Sequence, residues 1–334
     1  MFEVRLATAD DQEEVLALVS EMIPGVDVYA RWQWLYETNP GGKALTWIAT
    51  ANGKVAGCTS FFPFRMWLDG GQVLGALGGD GYVRPAFRRR GLGGLLHDAS
   101  RRDMQAQRIG CMYGAPGAMN LTPLKHGGSR EVGTVTRWAR PLRGAALNLS
   151  ALSSGVFDGV IASALKPRRT ARLEPMEPMD ERVDQIWNAA KHELRLACVR
   201  DAPFYTWRFL AAPAGAEPAF VIVDRKGKAL GACALETMHE GKTLRIVDLF
   251  ALPGEWHACL RAIARYGAEE TSARIADIKL FTLDGRKRHM WRSGFTEREN
   301  KPFLCMIPKD GDRRFVDPDR WFFCGADSDL DRLE

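Results

Sequence analysis

The run Arg88-Arg89-Arg90-Gly91-Leu92-Gly93-Gly94 has the residue types and spacing to hold an anion. Glycine lets a ligand come close to the main chain, and successive N–H groups at a helix start converge on negative charge, so a pyrophosphate is the natural guest. The three arginines add positive charge beside it. The run lies between an apolar strand ending at Val83 and a helical pattern beginning at Gly91, which is the context such a motif needs. The competing reading is a glycine-rich turn with solvated arginines.

A carboxylate stands just upstream, Asp80 inside Gly78-Gly79-Asp80-Gly81. An acid among glycines on a central strand can take a proton from an attacking group, and it can equally bond to backbone at a turn or bulge. Tyr36, Glu37 and Asn39 offer polar groups suited to a hydroxylated or amino-bearing small molecule. The six histidines form no His-x-x-x-His pair, and the seven cysteines contain no Cys-x-x-Cys. Neither a metal site nor a disulfide framework is expected.

Phe2 to Ala7 reads as a strand, Asp10 to Ile23 as a helix with an apolar stripe, and Tyr29 to Tyr36 as a second helix stopped by Asn39-Pro40-Gly41-Gly42. Three strands follow over 45–50, 55–67 and 72–83, joined by turns at Asn52-Gly53 and Asp69-Gly70-Gly71. Then come a helix over 91–107, a short strand over 110–113, a short helix over 119–126 and a final strand over 131–142. Trp34-Leu35-Tyr36, Pro40, Trp47 and Gly53 reappear as Trp207-Arg208-Phe209, Pro213, Phe220 and Gly227, offset by 173 residues, or 174 after one insertion.

Two copies of one α+β unit are therefore predicted, each a mixed, mostly antiparallel sheet flanked by helices. They span 1–142 and 172–334, and the linker over 143–171 carries an amphipathic helix with Leu149, Leu152, Val156 and Val160 on one stripe. In the second copy Phe250-Ala251-Leu252-Pro253 stands where Tyr82-Val83-Arg84-Pro85 stands in the first, and Gly254-Glu255 enters the helix with no arginine-glycine run. That copy is expected to bind no phosphate. Trp32, Trp34 and Tyr36 are read as core, and Trp321-Phe322-Phe323-Cys324 as an aromatic anchor that leaves Asp327 in water.

With 46% hydrophobic and 26% charged residues, the chain can bury sizeable cores, which excludes disordered and fibrous classes. A net charge of +5 is too small for the dense basic face of a duplex-DNA binder. The N-terminus lacks a basic head followed by an apolar stretch, and no run approaches the ~18 apolar residues of a membrane span. A soluble, cytoplasmic protein without a membrane partner is expected.

Val83-x-Pro85 followed by Arg88-x-x-Gly91-x-Gly93 resembles the strand-four and pyrophosphate-loop signature of the GNAT superfamily of N-acetyltransferases, and the element order is similar too. The resemblance implies tandem GNAT-like domains, acetyl-CoA as co-substrate with no metal, and acetyl transfer to a small-molecule amine by direct attack on the thioester. Arg88, Arg89, Arg90, Gly91, Gly93 and Gly94 would hold the pyrophosphate, and a backbone N–H near Val83 would polarise the thioester carbonyl. Asp80 would be the base, with Glu37 placed where the family gathers substrate. The tyrosine that many members use as acid is replaced by Pro123-Leu124, which leaves Tyr113 and His126 as substitutes. An amino sugar is favoured over a peptide as acceptor, held by Tyr36, Glu37 and Asn39 between the two copies. A non-catalytic acyl-CoA sensor and an aminoacyl-tRNA-dependent transferase are the alternatives.

Overall fold

The computed structural model describes residues 2–143, 156, 171–213 and 218–328. Asn52 and Asp69 take positive φ (51° and 44°) and open the turns that fold strands β2 (Leu45–Ala51), β3 (Lys54–Leu68) and β4 (Gly71–Val83) into a meander beside β1 (Phe2–Leu6). Helix α1 (Gln12–Met22) buries Val15, Leu16, Leu18 and Val19 on one face of this sheet, and α2 (Val28–Arg31) continues into a π-helical turn, Trp32–Glu37. Helix α3 (Leu92–Asp103) covers the other face through Leu92, Leu96 and Ala99, packed with Trp47, Phe61 and Ala76. β5 (Met112–Gly114), α4 (Ala118–His126) and β6 (Arg130–Pro141) complete the first half.

The second half repeats this order. It comprises β7 (Arg172–Pro175), α5 (Glu181–Ala190), β8 (Leu196–Cys198), α6 (Ala202–Tyr205, continued by the π-turn Thr206–Leu210), β9 (Ala219–Val223), β10 (Ala229–Met238) and β11 (Thr243–Ala251). Then follow α7 (Trp256–Glu270), β12 (Ile275–Phe281), α8 (Arg286–Arg292), β13 (Thr296–Met306) and β14 (Trp321–Cys324). The three- and four-residue strands β7, β8 and β14 are too short to show a period-two pattern. The expected linker helix, with Leu149, Leu152 and Val160, lies outside the described residues.

One sheet runs through both halves in the order β1-β2-β3-β4-β5-β13-β6-β12-β11-β10-β9-β7. Each half has its last long strand inserted into the other: β13 pairs with β5 (Leu304↔Gly114 to Met306↔Met112), and β6 pairs with β12 (Thr136↔Leu280 to Pro141↔Ile275). A pseudo-twofold axis passes between β13 and β6. The predicted boundary near Leu142 thus follows the chain, whereas the strand ladder crosses it. β8 pairs with β3 and β14, and β14 with β12, so the ladder also closes into a ring of eight strands. Tyr113, Phe303, Trp321 and Phe323 fill its interior with ring centroids 4.8–6.3 Å apart.

The two π-turns meet on the same axis. The indole nitrogen of Trp34 donates to the Trp207 carbonyl (2.8 Å), that of Trp207 donates to the Trp34 carbonyl (2.9 Å), and the rings stack at 5.0 Å. The main-chain bonds Thr38 N to Gln33 O and Ala211 N to Thr206 O carry the same 173-residue offset as the sequence repeat. Trp207→Ala should cost about 3–5 kcal/mol for a lost buried aromatic. Because the ladder is shared, thermal unfolding followed separately in each half should shift together; two separated transitions would contradict a shared sheet.

Candidate functional site

β4 and β5 run parallel and pair only at Ala76↔Met112 and Leu77↔Tyr113. Beyond Leu77 the described ladder of β4 continues on the β3 side alone, so the sheet parts along Gly78–Val83. In that stretch Ser60 faces Gly79 and Cys58 faces Tyr82, leaving Asp80 and Gly81 opposite Thr59 as a bulge. Val83 sits in regular register against Gly57. The irregular backbone expected near Val83 therefore lies two to three residues earlier, where Asp80 takes φ 44°, a conformation uncommon outside glycine.

Asp80 is buried and holds three side-chain hydrogen bonds. Its carboxylate accepts from Arg31 Nη2 (2.7 Å) and Nε (3.3 Å) and from the Tyr36 hydroxyl (2.6 Å). Ser60 Oγ lies 3.4 Å from the same hydroxyl and 2.9 Å from Thr46 Oγ1, and Cys58 Sγ donates to the Asp80 carbonyl (3.4 Å). Burial and the neighbouring carboxylate raise the Tyr36 phenol well above its ordinary value, and the same causes push the Cys58 thiol up to about 12, so both remain neutral donors. This network ties α2 and the turn after it to the bulge, with three donor bonds already on the Asp80 carboxylate.

The glycine run starts α3 as an open platform. Gly91 caps the helix with φ 78°, and a Cβ on Gly91, Gly93 or Gly94 would meet no atom within 4 Å. Leu92 and Leu96, both buried, hold the helix down while this edge faces solvent. Arg88 donates to the Val83 carbonyl (2.8 Å) with its guanidinium 5.4 Å from the Tyr82 ring centroid, and that of Arg90 lies 5.9 Å from Phe87. Among the described residues no carboxylate pairs with Arg88, Arg89 or Arg90. Free N–H groups, positive charge and the parted strands thus lie together, which fits an extended ligand carrying a pyrophosphate at one end.

The other predicted site residues are not gathered here. Tyr113 is fully buried inside the strand ring with its hydroxyl 3.1 Å from Cys198 Sγ, so it is a core residue and not a proton donor to a ligand. His126 stands exposed at the C-terminal end of α4. Tyr36 is spent on Asp80. Asn39 is buried, donating to the Pro63 carbonyl (2.9 Å) and accepting from Gly41 N (2.8 Å), so neither residue presents a polar group to an acceptor. Glu37 remains partly exposed and pairs with Lys43 at 2.5 Å. Arg31 escaped the sequence reading, although Arg31/Tyr36 and Arg200/Tyr205 share a five-residue spacing.

The second half keeps the acid and fills the cleft. Asp248 accepts from Arg200 Nε (3.1 Å) and the Tyr205 hydroxyl (2.8 Å), and Arg200 also donates to Asp327 (2.7 Å). Asp327 is thus buried beside Arg200, contrary to the solvated acid expected. β14 and the turn after it lie where β11 and β12 part: Cys324 pairs with Leu280, and a Cβ on Gly325 would come within 2.9 Å of the Val247 carbonyl. At the start of α7, Trp256 is buried, and the Arg286 guanidinium lies 5.6 Å from its ring and 5.2 Å from Phe322.

Residues 3–122 match the family model of the acetyltransferase (GNAT) domain. No curated protein matches the sequence. Among solved structures, the chain is similar to a GCN5-related N-acetyltransferase from Anabaena variabilis ATCC 29413, with TM-score 0.67 and 15% identity over 92% of this chain and 73% of that one. It is also similar to a conserved protein of unknown function and probable N-acyltransferase from Enterococcus faecalis V583 (TM-score 0.65, 14% identity, 92% and 73% covered). A third is Saccharomyces cerevisiae N-myristoyltransferase with bound myristoyl-CoA (TM-score 0.55, 14% identity, 91% and 82% covered). At these identities the structural likeness is one of fold. The match to the acetyltransferase domain model is confined to residues 3–122, and the whole chain shares the α+β fold of these structures.

Asp80→Asn keeps the shape of the network but removes the buried charge to which Arg31 and Tyr36 donate, which should cost about 1.5–3 kcal/mol in a denaturant titration. Tyr36→Phe should cost about 1.5–3 kcal/mol, the range for a hydrogen bond to a charged group. Unchanged stability in Asp80→Asn would return Asp80 to the role of a proton acceptor.

Proposed function

We propose that this chain, built on a GNAT domain with one open and one filled cleft, transfers an acetyl group from acetyl-CoA to the amine of a small acceptor. The observation that carries the reading is the parting of β4 from β5 beside an open glycine platform, in the first half alone. Bound acetyl-CoA supplies the activated thioester. Arg88, Arg90 and the N–H groups of Gly91, Gly93 and Gly94 would hold its pyrophosphate, and a main-chain N–H of the bulge at Asp80–Gly81 would polarise the carbonyl without reorganising. Asp80, clamped by Arg31 and Tyr36, acts as a positioning residue that fixes the bulge. The neutral amine attacks the carbonyl carbon, the C–S bond breaks, and the proton lost from nitrogen ends on the coenzyme A thiolate, which leaves as the thiol; holding both reactants in the gap supplies much of the rate.

Two features bear on the substrates. Met112 Sδ lies 2.7 Å from where a Cβ on Gly78 would stand, so its thioether packs against the strand where the gap begins, which favours a short acyl group. Glu37 is the member of the predicted acceptor set whose carboxylate reaches the surface, which suits a cationic amine, including an amino sugar. A cytoplasmic setting fits seven unpaired, buried cysteines. Among the described residues no helix is long and apolar enough to cross a membrane.

Titration calorimetry should report one acetyl-CoA per chain, and ~100 times the dissociation constant of acetyl-CoA should stabilise the fold by about 2.7 kcal/mol. With a panel of amines, coenzyme A should be released faster from acetyl-CoA than from long-chain acyl-CoA. Gly93→Asp, which puts a carboxylate on the platform, should abolish both binding and release. Two sites per chain would refute the filled second cleft, and binding without release on any amine would favour a sensor.

A further inference from the structure

A second basic region lies at the far end of α3. A cavity of about 270 Å³ lies between the C-terminal part of α3, the start of β6 and the segment following β13. Its walls carry Arg101, Arg130, Lys309 and Arg313 against a single carboxylate, Asp310. Arg101 is fixed: its Nε donates to the Ile307 carbonyl (3.3 Å), and its guanidinium lies over Gly128, where a Cβ would come within 2.5 Å of Nη1. Gly128 has φ 95°, so both its conformation and its missing side chain make room for that arginine. Arg130, Lys309 and Arg313 are exposed, and among the described residues none has a carboxylate partner. Ser129, between two wall residues, buries a hydroxyl oxygen with no partner.

We infer that this cavity binds a phosphate group. Four cations converging from three segments of both halves, with one acid among them, leave an excess positive charge that a compact dianion neutralises, and guanidinium groups offer paired donors to its oxygens. The site is distinct from the pyrophosphate platform. Ten residues of helix separate Gly91 from Arg101, about 15 Å at the α-helical rise, and the inference stands whether or not the acetyl-transfer reading holds. The phosphate belongs either to a separate phosphorylated small molecule or to the 3′-phosphate of coenzyme A reaching along α3.

The test is thermal unfolding of the full chain in inorganic phosphate against chloride at equal ionic strength. Phosphate should raise the midpoint saturably, the double variant Arg130→Gln/Arg313→Gln should weaken the apparent affinity at least tenfold, and Gly93→Asp should leave it unchanged. Both arginines are exposed, so the double variant should fold normally in chloride. A shift no larger than that of chloride, one that survives the double variant, or one lost in Gly93→Asp would overturn the assignment. The source of the phosphate follows from coenzyme A and its 3′-dephospho form. A wild-type preference for coenzyme A that the double variant loses assigns the site to the cofactor, and equal binding assigns it to a separate molecule.

Discussion

The exchange of last strands between the two halves governs the rest of this molecule. β13 completes the first half by pairing with β5, and β6 completes the second by pairing with β12. Neither half has a finished sheet alone, because β5 is three residues long and needs β13 on its far side. Interior aromatics follow the same logic: Tyr113 from one half packs against Phe303, Trp321 and Phe323 from the other. Two halves joined in this way each need the other to complete their sheet, whatever either one binds.

Within that shared frame the two copies have diverged at one place. Both have a parallel strand pair that parts, and both keep a buried aspartate there, Asp80 and Asp248, held by an arginine and a tyrosine five residues apart. In the first copy the gap stays open beside glycines with empty space around them. In the second, β14 and Asp327 occupy it, and Glu255 replaces the arginines at the helix start. The same backbone device is left open in one half and seats the C-terminal strand in the other.

The local parts of this arrangement were legible in the sequence. Turn residues such as Asn52 and Asp69, the stripe of α1 and the glycine run at Gly91–Gly94 are local signals, and they appear where expected. The equivalence of Trp34 and Trp207 was visible as a constant offset because both contribute to one symmetric contact. What could not be read depends on partners remote in the chain. Arg31 looks like any surface arginine until Asp80, 49 residues on, is placed beside it. Tyr113 stands in for the missing family tyrosine as long as only its place at the end of β5 is known, but β13 and β14 enclose it. Asp327 looked solvated because the burial of β14 against β8 and β12 is a property of the whole sheet. The bulge was placed near Val83, whereas the glycines around Asp80 allowed it to form earlier.

The central claim is that a single cleft, in the first half, accepts the acyl donor. Hydrogen–deuterium exchange of the full chain with and without saturating acetyl-CoA tests it directly, since it reads both clefts in one experiment. The account predicts slowed exchange across Gly78–Gly94 and unchanged exchange across Val247–Trp256. Protection of the second stretch, or none in the first, would contradict it.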